Sequence, residues 1–292
     1  MALSVRLIKE IKQAISNLRP DEVRRTAERP MAVGLVATSS AAYAAIEDFL
    51  APTAVSREKR MELMQMLYRA GDPGLPPRFD LVLDTQPIVG GHDTFHFDPS
   101  SPRRTVREIL DKREDLGLPL ARHFYPFREP VIDRIIFTIA KENALFALAT
   151  SLPNVVPSLV ELPWAIGEFA SDTAFLTMNQ MRMAFLIAAA SDSPIGYREQ
   201  KAEIASIVAG AFGWRALARE LAGKIPMGGG LIPKGSVAFA GTYVVGRSLE
   251  KYHSFGYGLT REERRDAYED ALRRGRGVAE RLMASLKRVD AA

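Results

Sequence analysis

The chain of 292 residues contains no cysteine. Disulfides, thiolate metal ligands and a cysteine nucleophile are therefore excluded, and the omission fits a reducing compartment such as the cytosol. Histidine and tryptophan are scarce, with 4 and 2 copies, so an imidazole-rich centre has few ligands to draw on. No apolar run is long enough for an ordinary spanning helix. The stretch from Ala144 to Val160 carries no charge, yet it falls short of the roughly 20 residues a bilayer core needs, and Pro153 and Pro157 divide it. An excess of one charge sign is missing too. The 39 Lys and Arg stand against 35 Asp and Glu, a formal charge of +4. That balance gives no ground for nucleic-acid binding but leaves an anionic membrane surface or an acidic partner open. The amino terminus is no secretion signal, because Arg6, Lys9, Glu10 and Lys12 interrupt it.

What is present is ordinary globular composition, 47% hydrophobic and 25% charged. The most apolar part runs from Arg128 to Asp192. Ile132, Ile135, Ile136, Ile139, Leu145 and Leu148 follow the three-and-four spacing of one buried helical stripe. Pro153 and Pro157 then turn the chain, and apolar residues resume through Trp164, Phe169, Phe175, Met178 and Met181 to MAFLIAAA. The pattern is an αα-hairpin. It suits either a buried core or a re-entrant or interfacial membrane element.

Upstream, Leu7, Ile8, Ile11, Ile15 and Leu18 line one face of an amphipathic helix opposite Arg6, Lys9 and Lys12. Such a helix packs on a domain or lies on a partner or anionic lipid. A short charged helix then leads into MAVGLVAT, read as a buried strand, with Ser39 or Ser40 capping the helix after it. SREKRMELMQMLYRA reads as helix throughout, Phe79 to Leu83 as a second buried strand with Asp84 at its end, and the segment through Phe95 and Phe97 as a short third. A helix over SPRRTVREILDKREDLGL closes this layer. Beyond Pro119 only helices are expected. One starts after Ser193 and Pro194; PMGGGLIPKG is a turn; SVAFAGTYVVGRSLEKYHSFG is a helix whose Gly235, Ala238, Ala240 and Gly241 allow close helix approach. In the last segment Thr260 and Glu263 have capping-box spacing, and Gly275 and Gly277 interrupt the helix before an exposed, charged terminal stretch.

The expected fold is α+β, mostly α. Residues 1–30 form an amphipathic helix and linker, 31–118 a small α/β domain, and 119–292 a helical domain built on the hairpin.

Chemistry-bearing patterns are thin. GLVATSSAA has no second glycine and no lysine, so it lacks the parts of a Walker A loop. LVLDTQP resembles the GTPase strand that ends in aspartate, threonine, proline and glycine, but Gln86 and Pro87 replace the last two. Asp84 then reads as a cap or loop residue. His92 and His96, with Asp84, Asp93 and Asp98 nearby, reach only the minimum geometry of two ligands, and HExxH is absent. His123 and His253 sit beside Phe124 and Tyr252 and suit structural roles. There is no GxSxG; Ser151, Ser171 and Ser193 fall where helix caps belong. Lys141, Glu142, Asn143, Asn179, Gln180 and Arg182 form either a buried polar cluster or a polar edge facing water. No catalytic, cofactor-binding or metal residue is assigned, and no cofactor is expected.

FREPVIDRIIFTIAKENALFAL, MNQMRMAFLIAA, GWRALARELAGKIP and AGTYVVGRSLEKYHSFG, in that order, resemble the uncharacterised bacterial helical domain of YcjF-type membrane proteins, also fused behind Era-like small GTPases. The resemblance covers about residues 121 to 274. It implies action at or in the inner membrane, from the cytoplasmic side, beside a GTPase. The first expectation is accordingly a non-catalytic protein with a degenerate GTPase-like layer, binding a membrane surface or a protein partner, a GTPase among them, through its apolar hairpin. The alternative is a soluble homo-oligomeric scaffold with the hairpin buried. A nucleotide-dependent switch stands third.

Overall fold

A computed structural model of the chain describes residues 18–86, 93–150, 172–210 and 231–289. The expected amphipathic helix up to residue 17, the corner at Pro153 and Pro157, Trp164, Phe169, Ser151, Ser171, His92 and the segment GWRALARELAGKIP lie outside these; Leu18, the last residue of that helix's apolar face, is described and buried. The fold is α+β and mostly α, as expected. It divides into an α/β unit, residues 22–133 with the turn 189–193, and a helical unit drawn from the residues before Glu22, from residues 134–188 and from Pro194 onward.

The α/β unit begins with α1 (Pro20–Ala27), β1 (Val33–Val36), α2 (Ser40–Leu50), α3 (Arg57–Met64) and β2 (Leu67–Arg69). It continues with β3 (Leu81–Asp84), β4 (Thr94–His96), α4 (Pro102–Lys112), a 3-10 turn and α5 (Gly117–His123). Its four strands are all parallel, in the order β2-β1-β3-β4. Leu35 faces both Arg69 and Leu83 across the ladder. Val33, Leu35, Leu81, Leu83 and Phe95 are buried, as the apolar runs require of a covered sheet. Gly34 has no room for a side chain, since a Cβ there would lie 3.1 Å from Val82 and 3.3 Å from Phe79. Ser39 is the N-cap of α2, its hydroxyl accepting from the Ala42 amide at 3.2 Å.

The strand β2 corrects the sequence reading. The local pattern of MQMLYRA reads as the end of a helix, but α3 stops at Met64 and Leu67–Arg69 enters the sheet, which has four strands among the described residues and not two or three. A tertiary contact decides the matter. Arg69 extends Nε and Nη2 to the two carboxylate oxygens of buried Glu47 on α2, at 2.6 and 2.8 Å, and its guanidinium lies 5.2 Å from the Tyr43 ring centre. Local helix propensity is outweighed by this bidentate pair and by ladder hydrogen bonds.

The helical unit takes the rest of α6 (Tyr125–Ala149), then α7 (Asp172–Ala190), α8 (residues 201–210), α9 (Leu231–Phe255) and α10 (Arg261–Val289). Three boundaries differ from expectation. Helix α8 begins two turns beyond Ser193 and Pro194; LIPKG is already the start of α9; and α10 runs unbroken through Gly275 and Gly277. Proline is tolerated in a first helical turn, which explains Pro233 at the third position of α9. Gly275 is there for proximity: a Cβ would meet Phe239 Cδ1 and the Ser236 carbonyl oxygen, each at 3.0 Å. Gly235 and Gly246 do the same work on α9, facing Leu148 at 2.9 Å and Ile136 at 2.7 Å. These contacts run α9 antiparallel to α6 and to α10. The close approach read from small residues in α9 is thus present. Phe146 of α6 stacks on Phe175 of α7 with ring centres 3.8 Å apart.

The glycines supply a paired test. In Gly246→Ala the new methyl collides with Ile136 and Met183, and overpacking is expected to cost about 1–3 kcal/mol. In Gly277→Ala the methyl meets only the end of the Arg281 side chain, at 3.6 Å, and the variant is expected to gain about 0.5–1 kcal/mol. Urea denaturation of both variants checks the opposite signs; equal effects would contradict this packing.

Candidate binding site

The hairpin arms meet around polar side chains, not only apolar ones. Asn143 and Asn179 are each 0% exposed, and Thr242, Gln180 and Thr177 are buried with them. Asn143 lies on α6, Asn179 and Gln180 on α7, and Thr242 on α9. Asn143 Nδ2 donates to Thr242 Oγ1 at 2.8 Å, and its Oδ1 accepts from Asn179 Nδ2 at 2.9 Å. Gln180 Nε2 reaches the same Thr242 oxygen at 3.4 Å. At the margin Arg182 Nη2 pairs with both carboxylate oxygens of Glu142, at 2.9 and 3.0 Å. Of the two alternatives for these residues, the buried cluster is present; Lys141 alone among the six faces solvent. Among the described residues, buried Asn179 Oδ1 has no hydrogen-bond partner. Thr242 was missed by sequence reading, because a lone threonine in a Gly and Ala-rich helix carries no signal of its own.

In the helical unit a cleft of about 310 Å3 lies between α8, α9 and the start of α10. Ile207, Val244 and Leu249 make it apolar, and Glu203, Ser206, Ser248, Tyr252 and Arg264 supply polar groups. Gln200 Nε2 holds the Glu203 carboxylate at 2.6 Å, and His253 Nε2 stands 3.5 Å from it. Ser248 is already engaged, accepting from the Leu259 amide at 3.2 Å. A small amphipathic group or a partner side chain suits such a lining. Sequence spacing could not assemble it, since its walls come from segments some fifty residues apart.

Beside the cleft, α9 ends at Phe255 and Gly256 turns the chain with φ of +80°, a conformation glycine adopts without strain. Phe255 and Tyr257 are 67% and 57% exposed, and Tyr252 is exposed as well. The Lys251 ammonium lies 5.0 Å from the Tyr257 ring centre. The capping box is formed as the spacing implies: the Thr260 amide donates to Glu263 Oε2 at 2.8 Å, and the Glu263 amide to Thr260 Oγ1 at 3.2 Å. Lys251 Nζ also bonds the Glu263 carboxylate.

In the α/β unit, the order β2-β1-β3-β4 puts the carboxyl ends of β1 and β3 side by side at a topological switch point, where open parallel sheets commonly take ligands. Asp84 is there, but its Oδ1 accepts from the Gln86 amide at 2.8 Å, the local turn role expected of it. His96 Nδ1 lies 3.0 Å from the Gln86 carbonyl oxygen, so that nitrogen carries the proton. Among the described residues no group of three His, Asp or Glu is placed to hold a metal ion. His123 is buried, Nε2 facing the Arg29 carbonyl at 3.1 Å, and burial lowers its pKa. Among the described residues no helix is long and apolar enough to cross a membrane. Comparison with known protein families, curated proteins and solved structures finds no match to this chain.

Two tests follow from this geometry. Asn143→Ala strands Asn179 and Thr242 in a dry interior, so unfolding free energy is expected to fall by about 2–4 kcal/mol, the sum of a lost bond and unmet partners; calorimetry checks it. The hydrogen bond from Lys251, with that from the Thr260 amide, holds the Glu263 carboxyl down to about 2. Its folded pKa lies below the unfolded one, so its contribution is present above the ordinary carboxylate range and lost as pH falls towards 2. Lys251→Met is expected to raise the Glu263 midpoint, followed by carboxyl NMR titration.

Proposed function

We propose that the chain is a non-catalytic helical scaffold that attaches peripherally to an anionic lipid surface through the turn between α9 and α10. The observation that carries this reading is a contrast in exposure. Ile136, Ile139, Phe175, Met178 and Met181, the arms of the apolar hairpin, are buried within their own unit, while Phe255 and Tyr257 project from the turn. Aromatic side chains of this kind settle at the headgroup level of bilayers, and Arg261, Arg264 and Arg265, interleaved with Glu262, Glu263 and Asp266, lie beside them in sequence for anionic lipid. This shifts the attachment away from the hairpin arms that sequence reading favoured. The resemblance of residues 121 to 274 to the YcjF-type helical domain points to the same setting, with a GTPase as a further partner. The small parallel sheet, whose β1 and β3 ends lack Walker A features, takes no catalytic part.

Burial of the arms equally supports the second reading, a homo-oligomeric scaffold.

Flotation of the full chain with anionic and neutral liposomes decides between them. Flotation with anionic lipid, reduced by salt and abolished in the double variant Phe255→Ser, Tyr257→Ser, is the expected result. Flotation lost instead on changing Trp164 and Phe169 would return attachment to the hairpin. No flotation, with concentration-dependent sedimentation, would establish the oligomeric scaffold.

A further inference from the structure

A charged cluster in the α/β unit is left unused by the reading above. At its centre is Asp192, whose φ of +56° makes it the single described non-glycine residue in the left-handed region. Its carboxylate takes Lys59 Nζ of α3 at 2.9 Å and Arg122 Nη2 of α5 at 3.6 Å. Arg122 is otherwise committed: Nη2 to Glu28 at 3.1 Å, and Nη1 to the carbonyls of Ser193 and Ala189 at 3.2 and 3.4 Å. Lys59 is shared with Glu62, at 3.1 Å.

Arg128, in the first turns of α6, is the exception. Its guanidinium carbon lies 5.4 Å from the Tyr125 ring centre, and among the described residues its buried Nε has no hydrogen-bond partner and no carboxylate pairs with it. Burial lowers its pKa; attraction from Asp192 opposes this, and repulsion from Arg122 adds to it. A guanidinium held half-buried without a counter-ion is costly, and folded proteins normally pair such a group or use it. Lys59 and Arg122 hold the Asp192 carboxylate, and Arg128 lies close enough to feel both Asp192 and Arg122. Glu28 and Glu62 pair with Arg122 and Lys59, at 3.1 Å each, and not with Arg128.

We propose that Arg128, with Arg122 near it, binds an oxyanion, a phosphate or carboxylate group presented to the Nη edge of its guanidinium. The planar fork matches both acceptors in bidentate fashion, and the Tyr125 ring lies within cation–π distance of it. The Asp192 carboxylate positions Lys59 and Arg122 and is neutralised by them, so it does not bar an incoming anion.

Isothermal titration and thermal unfolding of the full chain, with sodium phosphate and sodium acetate against sodium chloride of equal ionic strength, test this. The expected result is saturable binding of one oxyanion to the wild-type chain, weakened roughly tenfold or more in Arg128→Met. Arg128→Lys, which keeps the charge without the fork, retains part of it. In chloride alone Arg128→Met unfolds no more easily than the wild type, because the variant removes an unpaired charge. A response to phosphate only, or to acetate only, identifies which group the site takes. Equal responses of wild type and Arg128→Met, a wild-type response no greater than that to chloride, or a clear loss of stability in Arg128→Met without anion would each overturn the proposal.

Discussion

A buried amide must find partners within the protein, and in the helical unit that requirement fixes how three helices meet. Asn143, Asn179 and Thr242 come from α6, α7 and α9, and their hydrogen bonds form only in one register. Apolar packing alone would tolerate sliding by a turn; these bonds do not. The close contacts of Gly246 with Ile136 and of Gly235 with Leu148 are consistent with the same register, since they place α9 against α6 at two points along its length. Once α9 is set, α10 follows through Gly275 against Phe239, and the α9–α10 turn is carried to a defined position. The cleft and the exposed aromatic residues thus depend on a polar contact deep in the hairpin.

Much of this was legible where one local signal was enough. The apolar stripe of α6, the Ser39 cap and the reciprocal capping box of Thr260 and Glu263 need only neighbours in sequence, and each is present. The failures share a physical cause. β2 was hidden because its residues favour helix locally and are recruited by Glu47 and the sheet edge. Gly275 and Gly277 looked like helix breakers, but glycine costs a helix only about 1 kcal/mol, and contact with Phe239 outweighs that at Gly275. The polar cluster was named residue by residue, yet whether it faced in or out hung on Thr242, nearly a hundred residues from Asn143. The unpaired guanidinium of Arg128 left no trace in sequence at all, because a lack of partners is a tertiary property.

The two units divide the chemistry. The α/β unit brings together a parallel sheet with a switch point and, apart from it, a cluster of cations around a strained aspartate. The helical unit has its polar groups either satisfied in the core or arranged along one cleft and one turn.

The account stands on the hairpin arms being the interior of the folded chain. Native-state hydrogen exchange of the full-length protein in the absence of lipid measures this directly. Amides of residues 131–149 and 174–190 should be among the slowest to exchange, at the level of global unfolding, and unchanged on adding liposomes. Rapid exchange across both arms that slows only when lipid is present would contradict it, and would make the hairpin itself the membrane element.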